Sequence, residues 1–497
     1  MGRRRAQPSS LPAQERVAQA LQRYRPLLSA DDYEKLLEAL NQPLHPAIRI
    51  NPLKVNPPAA LADWSTRYGW QTAPVPYCPT GCRLTSVVVP PSQTIEHRLG
   101  QLYIQEAASM LPVELFTPPQ TPLPLALDMA ASPGGKTTHL IERMGDRGVV
   151  IANDASASRI PALRLVVHTW GATSAAITRF PGEYFGAWFP ETFDRVLLDA
   201  PCSMEGLRSS ESHPMRAISP GERSRLAQRQ VRLLESAFHA ARVGGEIVYA
   251  TCTLAPEENE AVLDALLQRY PDAVELIDLN RRLPLPSPAL TGDGNRQYLP
   301  AVQRAARLWP HRYGTAGFFA ALLVKRSAIK VERAHPPERA LERSGLLPLS
   351  RSETARLADE LLQAYGFDLT AVLESHQLTL LRRGSEVNAI PAAYLRHFAS
   401  LPLQALGLPL GETGAGGFVP GHEWVSRFFN RFNAGRSIIS TDSLSAWLRG
   451  EDLPLPANLP AGRGAVVLVE DESGRFLGRG KLLADRLRNL LPRRAVI

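Results

Sequence analysis

The sequence predicts an α/β protein whose centre is an open, mainly parallel sheet with crossover helices. With 497 residues the chain is too long for one hydrophobic core, and at about 150 residues per domain it should hold about three domains. Its 44% hydrophobic and 21% charged residues are typical of a folded globular protein. From Leu125 onward, short apolar runs alternate with segments of helix length, as in sheets of this kind.

The first domain, residues 1–115, is predicted to be a mainly helical α+β unit. Tyr33 to Leu40 has the spacing of a short amphipathic helix, and a basic segment from Arg49 to Lys54 follows it. The second domain, residues 116–328, contains the sheet. Its predicted strands are Leu125 to Met129, Gly148 to Asn153, Phe193 to Asp199, Glu246 to Thr251 and Phe318 to Val324.

The pattern changes after Lys325. Within a connecting domain expected at residues 329–415, Ser350 and Glu353 form a capping-box pair ahead of a helix from Thr354 to Ala364. Residues 411–417 are rich in glycine and are predicted to form a hinge. Residues 416–497 would then be a compact C-terminal domain with a basic end.

Charge and cysteine content limit the possible partners. The net charge of +8 favours a polyanion such as nucleic acid. No apolar run reaches the ~18 residues of a membrane helix and no signal-peptide pattern is present, so we expect a cytoplasmic protein without a membrane partner. The cysteines are too few and scattered for a disulfide framework. Cys78 and Cys82 lack a second pair of ligands, so we interpret them as structural and expect no metal.

The segment from Leu125 to Thr138 predicts a nucleotide-binding loop, because a strand runs into a glycine turn and then a helix. Glycines let the backbone approach a ligand closely, and amides at the helix start are free to donate. A phosphate-binding P-loop would need glycine in place of Ala130, so that alternative is excluded. Asp154, 20 residues after Gly134, is placed to hold ribose hydroxyls, with a helix cap as the alternative.

Two cysteines follow two different apolar strands. Cys202 comes shortly after Asp199 in Asp-Ala-Pro-Cys, and Cys252 comes fifty residues later in Ala-Thr-Cys. In open α/β sheets, ligands bind at the edge where parallel strands end. Either cysteine alone is more simply interpreted as a buried apolar side chain. Two of them at strand ends beside a cofactor loop indicate a reactive site.

These motifs resemble those of the RNA cytosine-C5 methyltransferases, the Nol1/Nop2/Sun family. The resemblance rests on ALDMAASPGGKTTHL, DRVLLDAPCSMEG and YATCTLAPEENEAV, and extends to AIRINPLK, LYIQEAASM and LWPHRYGTAGFF. It implies a Rossmann-like class I methyltransferase domain that binds S-adenosylmethionine. The C-terminal strings WLRGEDL and GRGKLLADRLRNLLP are similar, more weakly, to the bacterial type that modifies small-subunit ribosomal RNA. That similarity implies a PUA-like RNA-binding domain.

The resemblance implies a role for each motif residue. Cys252 would add to cytosine C6 as the nucleophile, and Cys202 would help to release the product. Asp199 would hydrogen-bond the amino edge of the flipped base. Independently of the resemblance, Lys136 near the same sheet edge would supply a positive potential that favours the thiolate, unless it only caps a surface turn. The implied cofactor site consists of Ala130, Ala131, Ser132, Pro133, Gly134, Gly135, Lys136, Asp154 and Asp199.

The implied substrate is RNA, either small-subunit ribosomal RNA or, as the alternative, transfer RNA. The residues predicted to contact its phosphates are Arg49, Asn51, Lys54, Lys481 and Arg488, although ordinary solvated charge would also explain each one. Two residues depart from the family pattern. Pro181 lies where an acid often holds the adenine, and Met204 stands where glycine usually follows Pro-Cys-Ser.

Two other functions are considered. In an amino-group methyltransferase, the acidic strand-end motif would continue with a second proline and an aromatic residue, where this chain has Cys202 and Ser203. A non-catalytic RNA-binding or assembly factor would be signalled by the loss of a motif cysteine, and both are present. In the amino-group methyltransferase, Cys252 would also have no role.

Overall fold

The computed structural model describes residues 21–206, 218–414, 416–455 and 461–497. The first 20 residues of the predicted N-terminal domain lie outside this part of the chain. Four sheets follow one another along the sequence, and the second is the largest. None of the described helices is long and apolar enough to cross a membrane.

The N-terminal domain combines short helices with an antiparallel sheet. Its strands are β1 (Ala47–Ile50), β2 (Gln71–Val75), β3 (Cys78–Ser86) and β4 (Leu102–Ile104), and its helices are α1 (Ala30–Asn41), α2 (Pro57–Tyr68), α3 (Ile95–Arg98) and α4 (Leu111–Glu114). The strand order is β2-β3-β1-β4. The predicted helix from Tyr33 to Leu40 is confirmed within α1. The sheet is not predicted from the sequence, because Pro79 and Gly81 interrupt the strand pattern of β3.

The central domain contains the predicted parallel sheet. Its strands are β5 (Leu125–Asp128), β6 (Val149–Asn153), β7 (Ala175–Thr178), β8 (Phe193–Asp199), β9 (Ala241–Thr251), β10 (Val274–Leu276), β11 (Ala306–Leu308) and β12 (Phe318–Lys325). Its helices are α5 (Gly135–Arg143), α6 (Ile160–Trp170), α7 (Phe185–Trp188), α8 (Pro220–Ala240), α9 (Glu260–Arg269) and α10 (Pro310–Tyr313). All five predicted strands are confirmed.

The order β10-β12-β9-β8-β5-β6-β7 brings the motif-bearing strands together. Strands β5 to β9 are parallel, and β12 runs antiparallel to β9. Every residue of β6 and β7 is buried, because helices cover both faces of the sheet. Burial on both faces explains why these strands appear in the sequence as continuous apolar runs. Since parallel strands end at one edge, the residues after Asp128, Asp199 and Thr251 meet there.

The third sheet joins residues that are predicted from the sequence to belong to two domains, the connecting domain and the C-terminal domain. Its strands in spatial order are β13 (Leu347–Pro348), β14 (Leu378–Arg383), β15 (Glu386–Pro391), β17 (Leu408–Gly414) and β18 (Gly417–Pro420), and its helices are α11 (Arg351–Tyr365), α12 (Leu369–His376), α13 (Ala392–His397) and α14 (His422–Phe428). The capping box of Ser350 and Glu353 is confirmed at the start of α11. The short strand β16 (Ala405–Leu406) pairs with β7, so the connecting segment extends the central sheet.

The predicted hinge at residues 411–417 is wrong. Strands β17 and β18 form an antiparallel hairpin across it, in which Gly411 pairs with Pro420. Gly411 has a φ of 156°, and a Cβ there would lie 2.2 Å from the Val419 carbonyl oxygen. The glycine therefore permits close strand pairing rather than flexibility. The boundary predicted between residues 415 and 416 falls inside this hairpin.

The last sheet completes the chain. Its elements are β19 (Arg436–Ile439), α15 (Thr441–Leu448), β20 (Leu453–Pro454), β21 (Val466–Asp471), β22 (Phe476–Leu482) and β23 (Arg486–Asn489). The strand order is β19-β21-β22-β23-β20. Trp447 of α15 is fully buried in its core, and its indole nitrogen donates to the Leu477 carbonyl over 3.1 Å.

Candidate active site

The two motif cysteines meet at one edge of the central sheet. Strand β8 ends at Asp199 and its parallel neighbour β9 ends at Thr251, so the turns that follow carry Cys202 and Cys252 to the same place. Their sulfur atoms are 3.3 Å apart, and both side chains are partly exposed. The sequence predicts that both cysteines lie at one edge of the sheet, and this geometry agrees with that prediction.

A buried polar network fixes the loop that carries Cys202. The Ser203 amide donates to a Glu258 carboxylate oxygen over 2.9 Å, and Gln230 donates to the same oxygen over 2.9 Å. Gln230 also donates to the Pro201 carbonyl over 2.8 Å. The Ser203 and Thr253 hydroxyls are 2.8 Å apart and link this loop to the Cys252 turn. Sequence reasoning missed Glu258 and Gln230, although Glu258 lies within a string that carried the resemblance.

The environments of Cys202 and Glu258 favour their uncharged forms. The hydrogen bond with Cys252, together with burial, raises the pKa of the Cys202 thiol well above its usual value. Burial also raises the pKa of Glu258. Cys202 is therefore a thiol at neutral pH, and its thiolate is a strong base when it forms.

Lys136 faces the site rather than the solvent. Its ammonium lies 2.8 Å from an Asp199 carboxylate oxygen and 5.4 Å from the centre of the Phe318 ring. Burial alone would lower the pKa of Lys136, but the Asp199 carboxylate outweighs it and holds that pKa above its usual value. The alternative that Lys136 merely caps a surface turn is wrong, because its side chain is only 14% exposed. The ammonium and Cys252 line the same cavity.

This cavity has a volume of about 290 Å³ and lies beside the glycine loop. Ala130, Ala131, Ser132, Pro133, Gly135, Lys136, Asp199 and Cys252 are among its lining residues, as are Tyr103, Asp128 and Phe318. A Cβ on Gly135 would lie 2.7 Å from a Tyr103 ring carbon, so only glycine fits there without displacing that ring. Gly134, the residue that precedes α5, has a φ of 115°, a backbone conformation that favours glycine.

Asp128, at the end of β5, is a cavity residue that sequence reasoning missed as a candidate. It is buried, its Oδ2 accepts from the Thr137 hydroxyl over 2.7 Å, and its Oδ1 has no partner among the described residues. Burial raises the pKa of Asp128 to about 7, and the neighbouring Asp199 charge adds to the effect. An unsatisfied buried acid beside a cavity suits a ligand that carries positive charge.

Asp154 is buried at the end of β6 but does not line the cavity. Its carboxylate accepts from the Ser156 amide over 2.9 Å and from the Ser132 amide over 3.3 Å. Its predicted contact with ribose therefore stays a prediction. Asn153 beside it donates to the Met129 and Phe180 carbonyls over 3.1 and 2.8 Å. These bonds tie the glycine loop to the segment that carries Pro181.

Met204 shows why a glycine is usual after Pro-Cys-Ser. Its φ is 60°, in the left-handed region where a side chain is strained. Met204 is 45% exposed and does not line the active-site cavity. The neighbouring Glu205 is buried and paired with Arg223 over 2.9 Å, which anchors the loop despite the substitution.

The prediction that Arg49 and Asn51 contact RNA phosphates is wrong, because both side chains are fully buried. Arg49 pairs with Glu142 and donates to the Gly135 carbonyl over 3.0 Å. Asn51 donates to the carbonyls of Gly100 and Trp170 over 2.8 and 2.9 Å. These residues join the N-terminal domain to the catalytic domain.

Lys54 is also engaged within the protein. Its ammonium donates to the Leu99 and Thr169 carbonyls over 2.6 and 2.8 Å, and to the Ser426 hydroxyl over 2.9 Å. The prediction of a phosphate contact is therefore wrong for Lys54 as well, since three protein oxygens already use its donors. Burial lowers the pKa of Lys54 well below its usual value.

Cys78 and Cys82 are buried, and burial raises the pKa of each thiol to about 12. Cys78 has two neighbours that the sequence did not reveal. Its sulfur atom, a Glu114 carboxylate oxygen and a His139 ring nitrogen all lie within 4.8 Å of one another. The His139 Nε2 is 3.0 Å from Glu114 Oε1, so these two side chains already form a buried hydrogen bond. That bond gives His139 Nε2 and Glu114 Oε1 partners within the protein.

Two family models match this chain. The one described as 16S rRNA methyltransferase RsmB/F matches residues 118–324, and the one described as the N-terminal domain of 16S rRNA methyltransferase RsmF matches residues 18–107. Ribosomal RNA small subunit methyltransferase F of Cronobacter sakazakii is 35% identical over 94% of this chain and 93% of its own length. The chain belongs to the RsmB/F family.

Another RsmB/F relative and a solved structure support the same family and fold. The protein of the same name from Citrobacter koseri is 36% identical over 94% of this chain and 93% of its own length. A methyltransferase homolog protein from Pyrococcus horikoshii has a TM-score of 0.54 at 30% identity, covering 63% of this chain and 99% of that one. The predicted family and the α/β class with a Rossmann-like methyltransferase domain are confirmed.

Proposed function

We propose that this chain transfers a methyl group from S-adenosylmethionine to carbon 5 of a cytosine in small-subunit ribosomal RNA, through a transient bond between Cys252 and C6. The observation that carries the proposal is the pair of thiols, with sulfur atoms 3.3 Å apart, at the sheet edge beside the cavity. Membership of the RsmB/F family supports both the reaction and the ribosomal substrate.

The cavity residues fit S-adenosylmethionine. When bound, this cofactor supplies an electrophilic methyl group on a positively charged sulfur. Asp128, with its unpartnered Oδ1, would hold the positive charge of the methionine part, and the backbone of Ala130 to Lys136 would contact the rest. We assign the ribose to Asp154, whose position at the end of β6 favours this contact.

The chemistry begins at Cys252, because cytosine C5 is a poor nucleophile until a group adds to C6. The Cys252 thiolate forms a bond to C6, and the electron pair of the C5–C6 double bond becomes available at C5. Asp199 accepts from the amino group of the flipped base, and the Lys136 ammonium favours the thiolate. C5 would then form its bond to the methyl group, and the electron pair of the methyl–sulfur bond would remain on the sulfur, which loses its positive charge.

Product release needs the C5 proton to leave. We assign its removal to Cys202, which is partly exposed and first gives its own proton to water. Its high pKa makes the resulting thiolate a strong base for the C5 proton. The electron pair of the C5–H bond restores the double bond, and the pair of the S–C6 bond returns to Cys252. The short distance between the sulfur atoms places Cys202 beside the adduct.

Two cysteine variants test this division of roles with 16S ribosomal RNA as substrate. Cys252→Ala should bind RNA but form neither 5-methylcytosine nor a covalent adduct. Cys202→Ala should add and methylate, then stall, and leave protein and RNA joined as a slow-migrating band on a denaturing gel. Combining both changes should abolish that band, since release cannot stall before addition has occurred.

Cys82→Ala is the matched control, because it removes a cysteine outside the site. It should retain methylation and show no stalled band. An adduct that persists in Cys252→Ala and vanishes in Cys202→Ala would assign the nucleophile to the other strand. Absence of 5-methylcytosine with the unmodified protein and its cofactor would reject the proposed reaction.

A further inference from the structure

A second and larger cavity lies beside β16, at the end of the central sheet opposite to β10. Its volume is about 490 Å³, and it shares no lining residue with the active-site cavity. One wall is α6 of the catalytic domain, and the opposite wall is formed by β14, β15 and the segment before α11. The short strand β16, which pairs with β7, lies at its base. The cavity therefore exists only because the connecting segment packs against the catalytic sheet.

Three arginines line this cavity: Arg164 of α6, Arg339, and Arg383 of β14. None of them forms an ion pair with a carboxylate of the described residues, although Arg339 donates to the Arg343 carbonyl over 3.3 Å. Glu386 is the single acid among the described lining residues, and its Oε1 accepts from Asn388 over 2.9 Å. The walls therefore carry an excess of positive charge that the protein itself does not neutralise.

His168 adds an unsatisfied polar atom to the same wall. Its Nε2 is buried and has no hydrogen-bond partner among the described residues. Burial lowers the pKa of His168 to about 4, with a further contribution from Arg164, so the ring is neutral at pH 7. Leaving such an atom unpaired costs about 1–3 kcal/mol. In the tautomer that carries its proton on Nε2, a ligand oxygen that accepted from this nitrogen would remove the cost.

We propose that this cavity binds a phosphate of the substrate RNA at a nucleotide other than the target cytosine. A phosphodiester offers oxygens that arginine forks bind in pairs, and its negative charge matches the uncompensated arginines. Except for His168, no aromatic ring lines the cavity, so it has no platform for stacking a base. The cavity therefore suits the phosphate backbone of RNA, which proteins contact independently of the base sequence. The inference rests on the proposed methylation of RNA.

The test uses the full-length chain with a double variant, Arg164→Gln together with Arg383→Gln. Both side chains are exposed, so their loss leaves the core intact. The matched control is Arg351→Gln together with Arg356→Gln, two exposed arginines of α11 that do not line the cavity. Dissociation constants for 16S ribosomal RNA are measured over a range of salt concentrations by filter binding.

The cavity variant should bind RNA about tenfold more weakly, and its salt slope should fall by roughly one for each lost phosphate contact. Its KM for RNA should rise, while kcat at saturating RNA and the S-adenosylmethionine affinity stay unchanged. The arginine control should match the wild type in all five quantities. Equal effects of the two double variants, or no effect of the cavity variant, would overturn the proposal.

Calorimetry with inorganic phosphate and adenosine monophosphate separates RNA from a free phosphate ligand. Saturable binding of either compound that the cavity variant abolishes, with unchanged RNA affinity, would assign the cavity to a free ligand and overturn the proposal. Failure of the proposed function is detected separately, as absence of 5-methylcytosine with the wild-type chain. That result leaves the comparison of RNA affinities between the two variants intact.

Discussion

At the residue scale, Asp128 couples the active site to the stability of the fold. Its carboxyl group is fully buried at the end of β5, and burial raises its pKa to about 7. An acid whose pKa is higher in the folded state than in the unfolded chain stabilises the fold only while it is protonated. This contribution is complete below the unfolded pKa, near 3.8, and is lost as the pH rises towards 7.

We therefore expect Asp128→Asn to flatten the pH dependence of stability. Without cofactor, the free energy of unfolding of the wild type relative to this variant should fall by up to about 3 kcal/mol between pH 4.5 and 7.5. Urea titrations at both pH values measure it. Asp272→Asn, at an exposed acid before β10, should show no such change. A difference that does not vary with pH would mean that Asp128 is ionised throughout.

Site residues could be predicted from the sequence where a local motif places them, and not where contacts with distant residues place them. Cys202, Cys252, Lys136 and Asp199 lie within motifs at strand ends, where position along the chain already determines position in space. The prediction that Arg49 contacts RNA rests on its place in the basic N-terminal motif. Its burial depends on partners distant in sequence, such as Glu142, and no local pattern reveals such contacts.

At the element scale, Arg49 connects strand β1 to helix α5. Its guanidinium donates to the Gln105 side chain over 3.1 Å and to the Thr138 hydroxyl over 2.7 Å, and lies 4.3 Å from the centre of the Trp170 ring. It pairs with Glu142, which is only 6% exposed. Because α5 follows the glycine loop directly, this arginine holds the cofactor loop against the N-terminal domain.

Arg49→Met should destabilise the protein by about 3–5 kcal/mol, because it leaves the Glu142 carboxylate buried without an opposite charge. Adding Glu142→Gln to Arg49→Met should recover part of that loss, since the unpaired charge is then removed. Unfolding in urea measures both. The salt slope of RNA binding should stay at the wild-type value in the folded variants. A reduced slope would show that Arg49 contacts phosphate after all.

Helices and strands could be predicted from the sequence where the spacing of apolar residues and the length of the apolar run indicate the same kind of element. The five apolar runs of the central domain are strands because helices cover both faces of the sheet. The glycines at 411–417 were misinterpreted because glycine serves flexible linkers and close strand pairing equally well. Only the pairing of β17 with β18, a tertiary property, distinguishes the two.

At the scale of the whole molecule, the C-terminal domain presents charge that the protein does not neutralise. Lys481 of β22 and Arg488 of β23 are directly opposite each other in the antiparallel pair. Like charges in such positions are destabilising unless an anion binds between them. Neither side chain forms an ion pair with a carboxylate in the described part of the chain. Arg486 on the same strand differs, since it pairs with Asp452 over 2.9 Å and with Asp485 over 3.0 Å.

This contrast gives a test of the predicted RNA contacts. Replacing both Lys481 and Arg488 by glutamine should weaken binding of 16S ribosomal RNA and lower the salt slope by roughly two, because two phosphates are no longer neutralised. Arg486→Gln is the control on the same strand, and its slope should stay close to that of the wild type, since two carboxylates already neutralise Arg486. Filter binding over a range of salt concentrations measures all three proteins. If Arg486→Gln lowers the slope as much per residue as the double variant does, the effect reflects total charge, and the C-terminal sheet does not position RNA through the pair at 481 and 488.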